Sequence, residues 1–307
     1  MTWPWRSPQA TRQALTARIR TRHPSGERPR RLREIAYRRF LARVFVAQPE
    51  RWVVKGGAAL LLRLDPNRTS NDIDLAYVAE AGGHAVAVKA LEEAMSLDLG
   101  DFFTFELCRD RMTEIEVDHP LERALAVPVT ARIGERVFVE FSIDLALPRE
   151  DKLAIEWLKP EVTLTGEPAV DTTAPIAALA LSSQVADKAC AIFEIHGDGH
   201  HSSRARDLAD IAMIASQKDF DGTELEERLR AEERRRLDAG TLASPLPVEL
   251  DLPAAQIAEW RAHWKKATRE APVSFGEAKD QAAAFIDPVL AGVARGRRWD
   301  AARQRWC

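Results

Sequence analysis

Two aspartates separated by a single residue, in Asp72-Ile73-Asp74, are the first feature of this sequence that could support chemistry. Polar and apolar residues alternate here, which predicts a strand with one solvated face. Side chains at positions i and i+2 of a strand share a face, so the two carboxylates would lie side by side and repel each other. Mg²⁺ would remove that repulsion, because it binds carboxylates together with phosphate oxygens and water. The alternative is an ordinary acidic pair on a surface strand.

A third aspartate, Asp144, lies in a predicted strand from Arg136 to Leu147 whose alternate positions are apolar. It is either an exposed acid on a half-solvated strand or a third metal ligand beside Asp72 and Asp74. In the second case, two Mg²⁺ ions held by three carboxylates could activate an attacking hydroxyl and stabilise leaving pyrophosphate.

Upstream of these acids stands Lys55-Gly56-Gly57, followed by an apolar run that predicts a helix. Glycine lets the backbone approach a phosphate closely and adopt a positive φ. The free N–H groups at the start of the helix would point at an anion. Paired glycines before a helix usually mark only a turn, so it is their position ahead of the aspartates that makes a phosphate site a hypothesis.

The second half of the chain contributes Lys188, which falls on an apolar helical stripe with Leu181, Val185 and Ile192. A buried ammonium needs a partner, and Asp207 or Asp210 on the following predicted helix could supply it. Two interpretations stay open, a structural ion pair and a contact with a triphosphate.

Three histidines, His196, His200 and His201, stand in the connection between the two helices that would carry Lys188 and Asp207. This connection reads as a polar loop or, alternatively, as a metal-binding segment.

The elements that would position these residues change in character along the chain. Helices are predicted from Thr11 to Phe45 with a break at residues 24–29, and from His84 to Leu97. Strands are predicted around the acids, and from Phe102 to Arg109 and Ala124 to Ile133. Helical patterns dominate from Ile176 onward. We therefore predict an N-terminal α/β domain over residues 1–165 and a helical domain over residues 166–307.

Composition excludes several classes of protein. With 307 residues, 46% of them hydrophobic and 30% charged, the chain is typical of globular proteins. Its three cysteines are far apart and suggest neither a disulfide framework nor a zinc site. No apolar run is long enough to span a membrane, and no signal peptide is recognisable, so we expect a cytoplasmic protein.

The formal net charge of −3 gives no overall case for nucleic-acid binding, but two local clusters are basic. Arginines crowd residues 12–43, and further arginines stand beside Trp299 and Trp306 near the C-terminus. Such clusters either attract RNA or DNA or form a solvated helix face.

Taken together, these blocks resemble the AbiEii/AbiGii toxin family, which includes MenT-like toxins, within the nucleotidyltransferase superfamily. The resemblance rests on Lys55–Leu60, Arg68–Leu75, Ala186–Lys188 and Arg204–Asp210 and spans roughly residues 52–215. One departure from the wider superfamily is Gly57, where many members carry serine.

The resemblance implies a mixed sheet with flanking helices followed by a helical domain. It also implies roles for single residues. Asp72 and Asp74 would bind metal, as would Asp144, and Arg68 and Ser70 would flank the nucleotide together with Lys55-Gly56-Gly57. Lys188 would contact phosphates, and Asp207 would orient Lys188 or the substrate.

The activity implied is that of a toxin paired with an antitoxin in phage abortive infection. It would transfer a nucleoside monophosphate from an NTP to an RNA hydroxyl, expected at the tRNA 3′ end, and so block translation. Alternatives are transfer to a small molecule or a protein, and a nucleotide-binding module without catalysis.

Overall fold

The computed structural model describes residues 3–64, 72–79, 83–115, 123–147, 153–159, 174–195, 200–268 and 273–307. The chain divides into two compact units. The described residues up to Leu179 form the first unit, and Ala180–Cys307 form the second. The predicted boundary at residue 165 falls outside the described residues and stays a prediction.

The first unit combines helices and strands, as predicted. Its helices are α1 (Pro8–Arg22), α2 (Arg28–Ala47), α3 (Gly56–Arg63) and α4 (Gly83–Met95). Its strands are β1 (Trp52–Val54), β2 (Asp72–Tyr77), β3 (Phe103–Leu107), β4 (Thr113–Ile115), β5 (Arg123–Ile133), β6 (Arg136–Leu147), β7 (Ile155–Leu158) and β8 (Ile176–Leu179).

Among the described residues these eight strands form one mixed sheet in the order β3-β5-β6-β2-β1-β8-β7, and β4 pairs with β5. Strand β2 runs parallel to β6 and antiparallel to β1, while β1 runs parallel to β8. The two strands that carry the predicted aspartates are therefore neighbours in the sheet.

Aromatic side chains join the helices of the first unit to its sheet. The ring of Phe40 on α2 lies 5.6 Å from Phe105 and 5.8 Å from Phe141, measured between centroids. All three side chains are nearly inaccessible to solvent. Edge-to-face packing of this kind stabilises a core beyond the area it buries.

The N-terminal arginine cluster is partly internal. Arg39 and Arg43 are buried and share the carboxylate of Asp101, with N–O distances of 2.5 and 2.6 Å. Arg31 is also buried and pairs with Glu34 at 2.9 Å. These three arginines stabilise the fold, so a nucleic acid would meet only the remaining arginines of the cluster.

The segment Ile176–Leu179, predicted as the start of a helix, is instead strand β8. Its first three side chains are buried because β8 lies between β1 and β7 inside the sheet. A strand buried on both faces is apolar throughout, and periodicity alone cannot distinguish it from a buried helix.

The second unit is mainly helical. Its helices are α5 (Leu181–Ile192), α6 (Ala205–Gln217), α7 (Gly222–Ala239), α8 (Ala254–Thr268) and α9 (Phe275–Leu290). Three short strands, which the sequence did not predict, form a small sheet from β9 (Phe220–Asp221), β10 (Arg298–Asp300) and β11 (Arg305–Trp306).

The C-terminal tryptophans belong to this small sheet. Trp299 is fully buried against Phe285, and its indole N–H donates to the Ala215 carbonyl at 2.8 Å. Trp306 stacks on Phe285. Of the aromatic residues in the C-terminal basic cluster, Trp299 is therefore packed in the core and exposes no ring to a nucleic acid. None of the helices in the described ranges is long and apolar enough to cross a bilayer.

Candidate active site

The three predicted metal-binding aspartates lie on two adjacent parallel strands. Asp72 pairs in register with Ser142, and Asp74 pairs with Asp144. Residues directly opposite each other in a sheet point to the same face, and so do residues two apart along a strand. The register therefore places all three carboxylates on one face of the sheet. Asp144 on β6 lies beside the start of β2, where Asp72 and Asp74 stand.

The three carboxylates influence one another electrostatically. Partial burial, followed by the negative charges of Asp72 and Asp74, raises the pKa of Asp144 from 3.8 to about 7. A divalent cation near these groups would favour their ionised forms and relieve the repulsion.

Asp74 also accepts hydrogen bonds from the N-terminus of helix α3. Its Oδ2 accepts a hydrogen bond from the Gly57 N–H at 3.0 Å, and its main-chain carbonyl accepts from the Lys55 N–H at 2.9 Å. A carboxylate at a helix N-terminus satisfies a free N–H group and interacts favourably with the helix dipole. The Gly57 N–H, predicted to face a phosphate, is thus engaged by a carboxylate of the candidate site.

Gly56, the first residue of α3, makes this contact possible. Its φ is +49°, a conformation that residues with a side chain rarely adopt. A Cβ atom built on Gly56 would also lie 2.6 Å from the Cγ of Asp74. The paired glycines therefore serve both the turn into α3 and the close approach of Asp74.

The carboxylate oxygens of these three aspartates are the kind of ligand that magnesium binds. Asp72, Asp74 and Asp144 supply hard oxygen ligands, which Mg²⁺ prefers. Across the described ranges, however, no three carboxylate, imidazole or thiol groups already surround a common metal position. Two residues predicted to flank the nucleotide, Arg68 and Ser70, lie outside the described residues.

In the second unit, Lys188 on α5 has the acidic partners that the sequence predicted. Its Nζ lies 2.5 Å from Asp207 Oδ1 and 2.7 Å from Asp210 Oδ2, both on α6. All three residues are buried. Arg204 adds a second cation, with its Nε 2.8 Å from Asp207 Oδ2. The charge of Asp207 is the main reason why the pKa of Arg204 is raised.

A further cation near Lys188 was not predicted. Arg236 on α7 is buried, and it donates to the Asp187 carboxylate at 2.6 Å and to the Asp187 carbonyl at 3.2 Å. It also pairs with Glu194 and Glu232. Burial alone would lower the pKa of Arg236, but these three acids raise it. Arg236 thereby fixes the residue that precedes Lys188, and no local pattern on α7 reveals this.

The histidine connection is held at its C-terminal end. His201 pairs with Ile195 in an antiparallel bridge, and the Ser202 N–H donates to the Glu194 carbonyl at 3.1 Å. The Ser202 carbonyl accepts from the Trp260 indole at 2.9 Å. His196 lies outside the described residues.

Comparison with known proteins places these observations in a family. Residues 39–291 match the family described as nucleotidyl transferase AbiEii toxin, type IV TA system. The chain belongs to this family of nucleotidyltransferase toxins. Membership implies a nucleotide substrate and an antitoxin. No curated protein matches the sequence.

Solved structures of other proteins are similar to this chain. The MenT4 nucleotidyltransferase toxin of Mycobacterium tuberculosis H37Rv superposes with a TM-score of 0.53 at 17% sequence identity, covering 92% of this chain and 99% of that one. JHP933 of Helicobacter pylori gives a TM-score of 0.47 at 14% identity, covering 85% of this chain and 91% of that one. The family match and the MenT4 superposition confirm the predicted mixed α/β fold with flanking helices.

Proposed function

We propose that this toxin transfers a nucleoside monophosphate from an NTP to a hydroxyl of RNA, at the 3′ end of tRNA, and so blocks translation in the cytoplasm. The observation that supports the proposal most directly is the register of Asp74 with Asp144, with Asp72 two residues away, beside the glycine-opened start of α3. This arrangement concentrates negative charge at one place on the sheet. A divalent cation bound there would neutralise that charge and could carry the triphosphate.

In this reaction the acceptor hydroxyl releases its proton to solvent and its oxygen attacks the α-phosphorus of the NTP, and the bond from that phosphorus to the bridging oxygen breaks as pyrophosphate leaves. Asp72, Asp74 and Asp144 would hold Mg²⁺, in two ions, which neutralise the charge that develops on the phosphates. Asp74 is held ready by its hydrogen bond from Gly57. Positioning of this kind costs no reorganisation at the moment of reaction.

Lysine side chains would bind the triphosphate. Lys188, oriented by Asp207 and Asp210, would contact phosphate oxygens as a point charge. Lys55 at the start of α3 would do the same, and Arg68 and Ser70 would flank the nucleotide. A single-stranded RNA end suits such a site because its terminal hydroxyl is unstacked and accessible.

The proposal is tested by incubating the purified protein with Mg²⁺, each labelled NTP in turn and total tRNA. We expect label on tRNA with at least one NTP, and no label after chelation or in Asp72→Asn. This substitution keeps the size of the side chain and removes its charge. Label on a protein or a small molecule in place of tRNA would correct the acceptor. Failure to bind any Mg²⁺-NTP in calorimetry would reject the catalytic function.

A further inference from the structure

A buried carboxamide in the second unit has no hydrogen-bonding partner among the residues that the structure describes. Gln184 on α5 is 2% exposed, and no described residue supplies a hydrogen bond to its Oε1 or its Nε2. The observation does not depend on how the amide is turned, because neither end has a partner. Burial of such a group without hydrogen bonds destabilises a fold, and buried polar groups almost always find a partner.

A second glutamine in the same unit shows the usual arrangement. Gln256 on α8 is 3% exposed, and its Nε2 donates to the Ile192 carbonyl at 3.1 Å and to the Ser202 carbonyl at 3.2 Å. These two similarly buried carboxamides thus differ in their protein partners: Gln256 has two carbonyl acceptors, and Gln184 has no partner among the described residues. The difference points to a partner for Gln184 from outside the chain.

The position of Gln184 indicates which partner. It precedes Lys188 by four residues on α5, and side chains at this spacing are neighbours on one helix face, with Cβ atoms about 6 Å apart. Lys188 itself is fixed by Asp207 and Asp210. A ligand whose phosphates meet Lys188 therefore has Gln184 as a neighbour on the same helix face.

The chemistry of the carboxamide indicates which part of a bound ligand would pair with Gln184. It presents an NH2 donor group and a carbonyl acceptor side by side in one plane. Phosphate oxygens can only accept, and would leave Oε1 without a partner. The edge of a nucleobase carries an adjacent donor and acceptor, which a glutamine side chain matches with two parallel hydrogen bonds.

We propose that Gln184 hydrogen-bonds the edge of the base of the bound nucleotide and so determines which NTP the toxin uses. This inference rests on the proposed nucleotidyltransferase function and on the placement of phosphates at Lys188. It assigns to α5 two tasks one helical turn apart, phosphate binding by Lys188 and base selection by Gln184.

The decisive experiment compares the same substitution at the two glutamines, Gln184→Met and Gln256→Met. In thermal unfolding without nucleotide, Gln184→Met is expected to raise Tm by about 2–4 °C, because it removes a buried group without a partner. Gln256→Met is expected to lower Tm, because the Ile192 carbonyl loses the carboxamide donor and the Ser202 carbonyl keeps only the Trp260 indole. A decrease in Tm for Gln184→Met as large as that for Gln256→Met would show a structural partner for Gln184 and overturn the proposal.

Nucleotide selection is then measured as kcat/KM for each of the four NTPs with tRNA. For the NTP that the parent protein prefers, Gln184→Met should lower kcat/KM about 10- to 100-fold, mostly through KM. The other NTPs should change less than about 3-fold, and Gln256→Met should leave the order of preference as it is. Gln184→Leu serves as a second variant with a different shape.

The outcomes separate the two proposals. An active parent whose preference survives in both Gln184 variants rejects base selection while the transferase function stands. A parent that binds no NTP rejects the transferase function and base selection together.

Discussion

Gly56 and Asp74 are matched to each other: the carboxylate of Asp74 lies where the side chain of any other residue at position 56 would begin. The Cγ of Asp74 is 2.6 Å from the position of a Cβ on Gly56, whose φ is +49°. The glycine turn and the acidic strand are therefore two parts of one arrangement, although 18 residues separate them in the sequence.

Gly56→Ala should consequently destabilise the protein and abolish transfer. We expect a loss of about 2–4 kcal/mol in the free energy of unfolding, from the left-handed conformation and the overlap with Asp74. Urea unfolding measures it. Gly276→Ala is the matched control, because no atom lies within 4 Å of a Cβ there. A stable and active Gly56→Ala would show that Asp74 can move away at little cost.

Asp74 has two tasks that substitutions can separate. Asp74→Asn should keep the hydrogen bond from Gly57 but lose metal affinity, so it should be inactive and nearly as stable as the parent. Asp74→Ala should be inactive and in addition lose about 1 kcal/mol, since α3 loses the group that closes its start. Activity in Asp74→Asn above a few per cent of the parent would argue against Asp74 as a metal ligand.

The pKa of Asp144 predicts how stability depends on pH. A pKa raised from 3.8 to about 7 means that the folded state holds the proton more tightly than the unfolded state. Stability from this group is thus present at low pH and is lost as pH rises towards 7. In chelator above pH 7, Asp144→Asn should be more stable than the parent by about 1–2 kcal/mol, after allowance for solvent screening at this partly buried site.

Added Mg²⁺ should reverse this difference, because it stabilises the parent and not the variant. Thermal melts of both proteins at pH 5 and pH 8, with and without Mg²⁺, give the stability difference between them in each of the four conditions. Equal stability of the two proteins at pH 8 in chelator would contradict the position of Asp144 between its acidic neighbours.

Lys188→Met should destabilise the second unit by about 3–5 kcal/mol, because the buried carboxylate of Asp210 would lose the ammonium and that of Asp207 would keep only Arg204. Adding Asp207→Asn and Asp210→Asn should recover most of that stability. The triple variant should nevertheless be inactive if Lys188 binds phosphate. Full activity of the triple variant would show that Lys188 does not bind phosphate. Its role would then be the structural ion pair, the other interpretation that the sequence left open.

The exposed basic residues predict the salt dependence of RNA binding. Arg20 and Arg22 near the end of α1 are exposed, unlike the internal arginines of the same cluster. Arg20→Gln with Arg22→Gln should weaken tRNA binding and reduce the slope of log K against log salt by about 2. Arg297→Gln with Arg305→Gln at the C-terminus is the matched pair. An unchanged slope in the α1 variant would exclude this helix from the RNA contact.

The sequence predicted the elements whose signals are local. The break at residues 24–29 separates α1, which ends at Arg22, from α2, which begins at Arg28. Strand β6 has the predicted bounds because alternation along it is regular. The change from an α/β unit to a helical one was also predictable, since periodicity changes from two to 3.6.

What the sequence could not supply were relationships over long separations. The pairing of Asp74 with Asp144 depends on which strands become neighbours and in which register. Arg39 and Arg43 looked like surface cations because their partner, Asp101, is about 60 residues away. Strand β8 looked helical because a fully buried strand carries no alternation. Arg236 and Gln184 gave no local signal, because their importance lies in the contacts they make or lack.

The Ser202 carbonyl accepts hydrogen bonds from both Gln256 and Trp260, and the Ser202 N–H donates to the Glu194 carbonyl. Together with the bridge between Ile195 and His201, these bonds bring the two ends of the histidine connection to fixed positions. The main chain between α5 and α6 is therefore tied to α8 as well, which makes Ser202 a junction of three helices. A change of side chain at position 202 should leave this junction intact, because only main-chain atoms of Ser202 form these bonds.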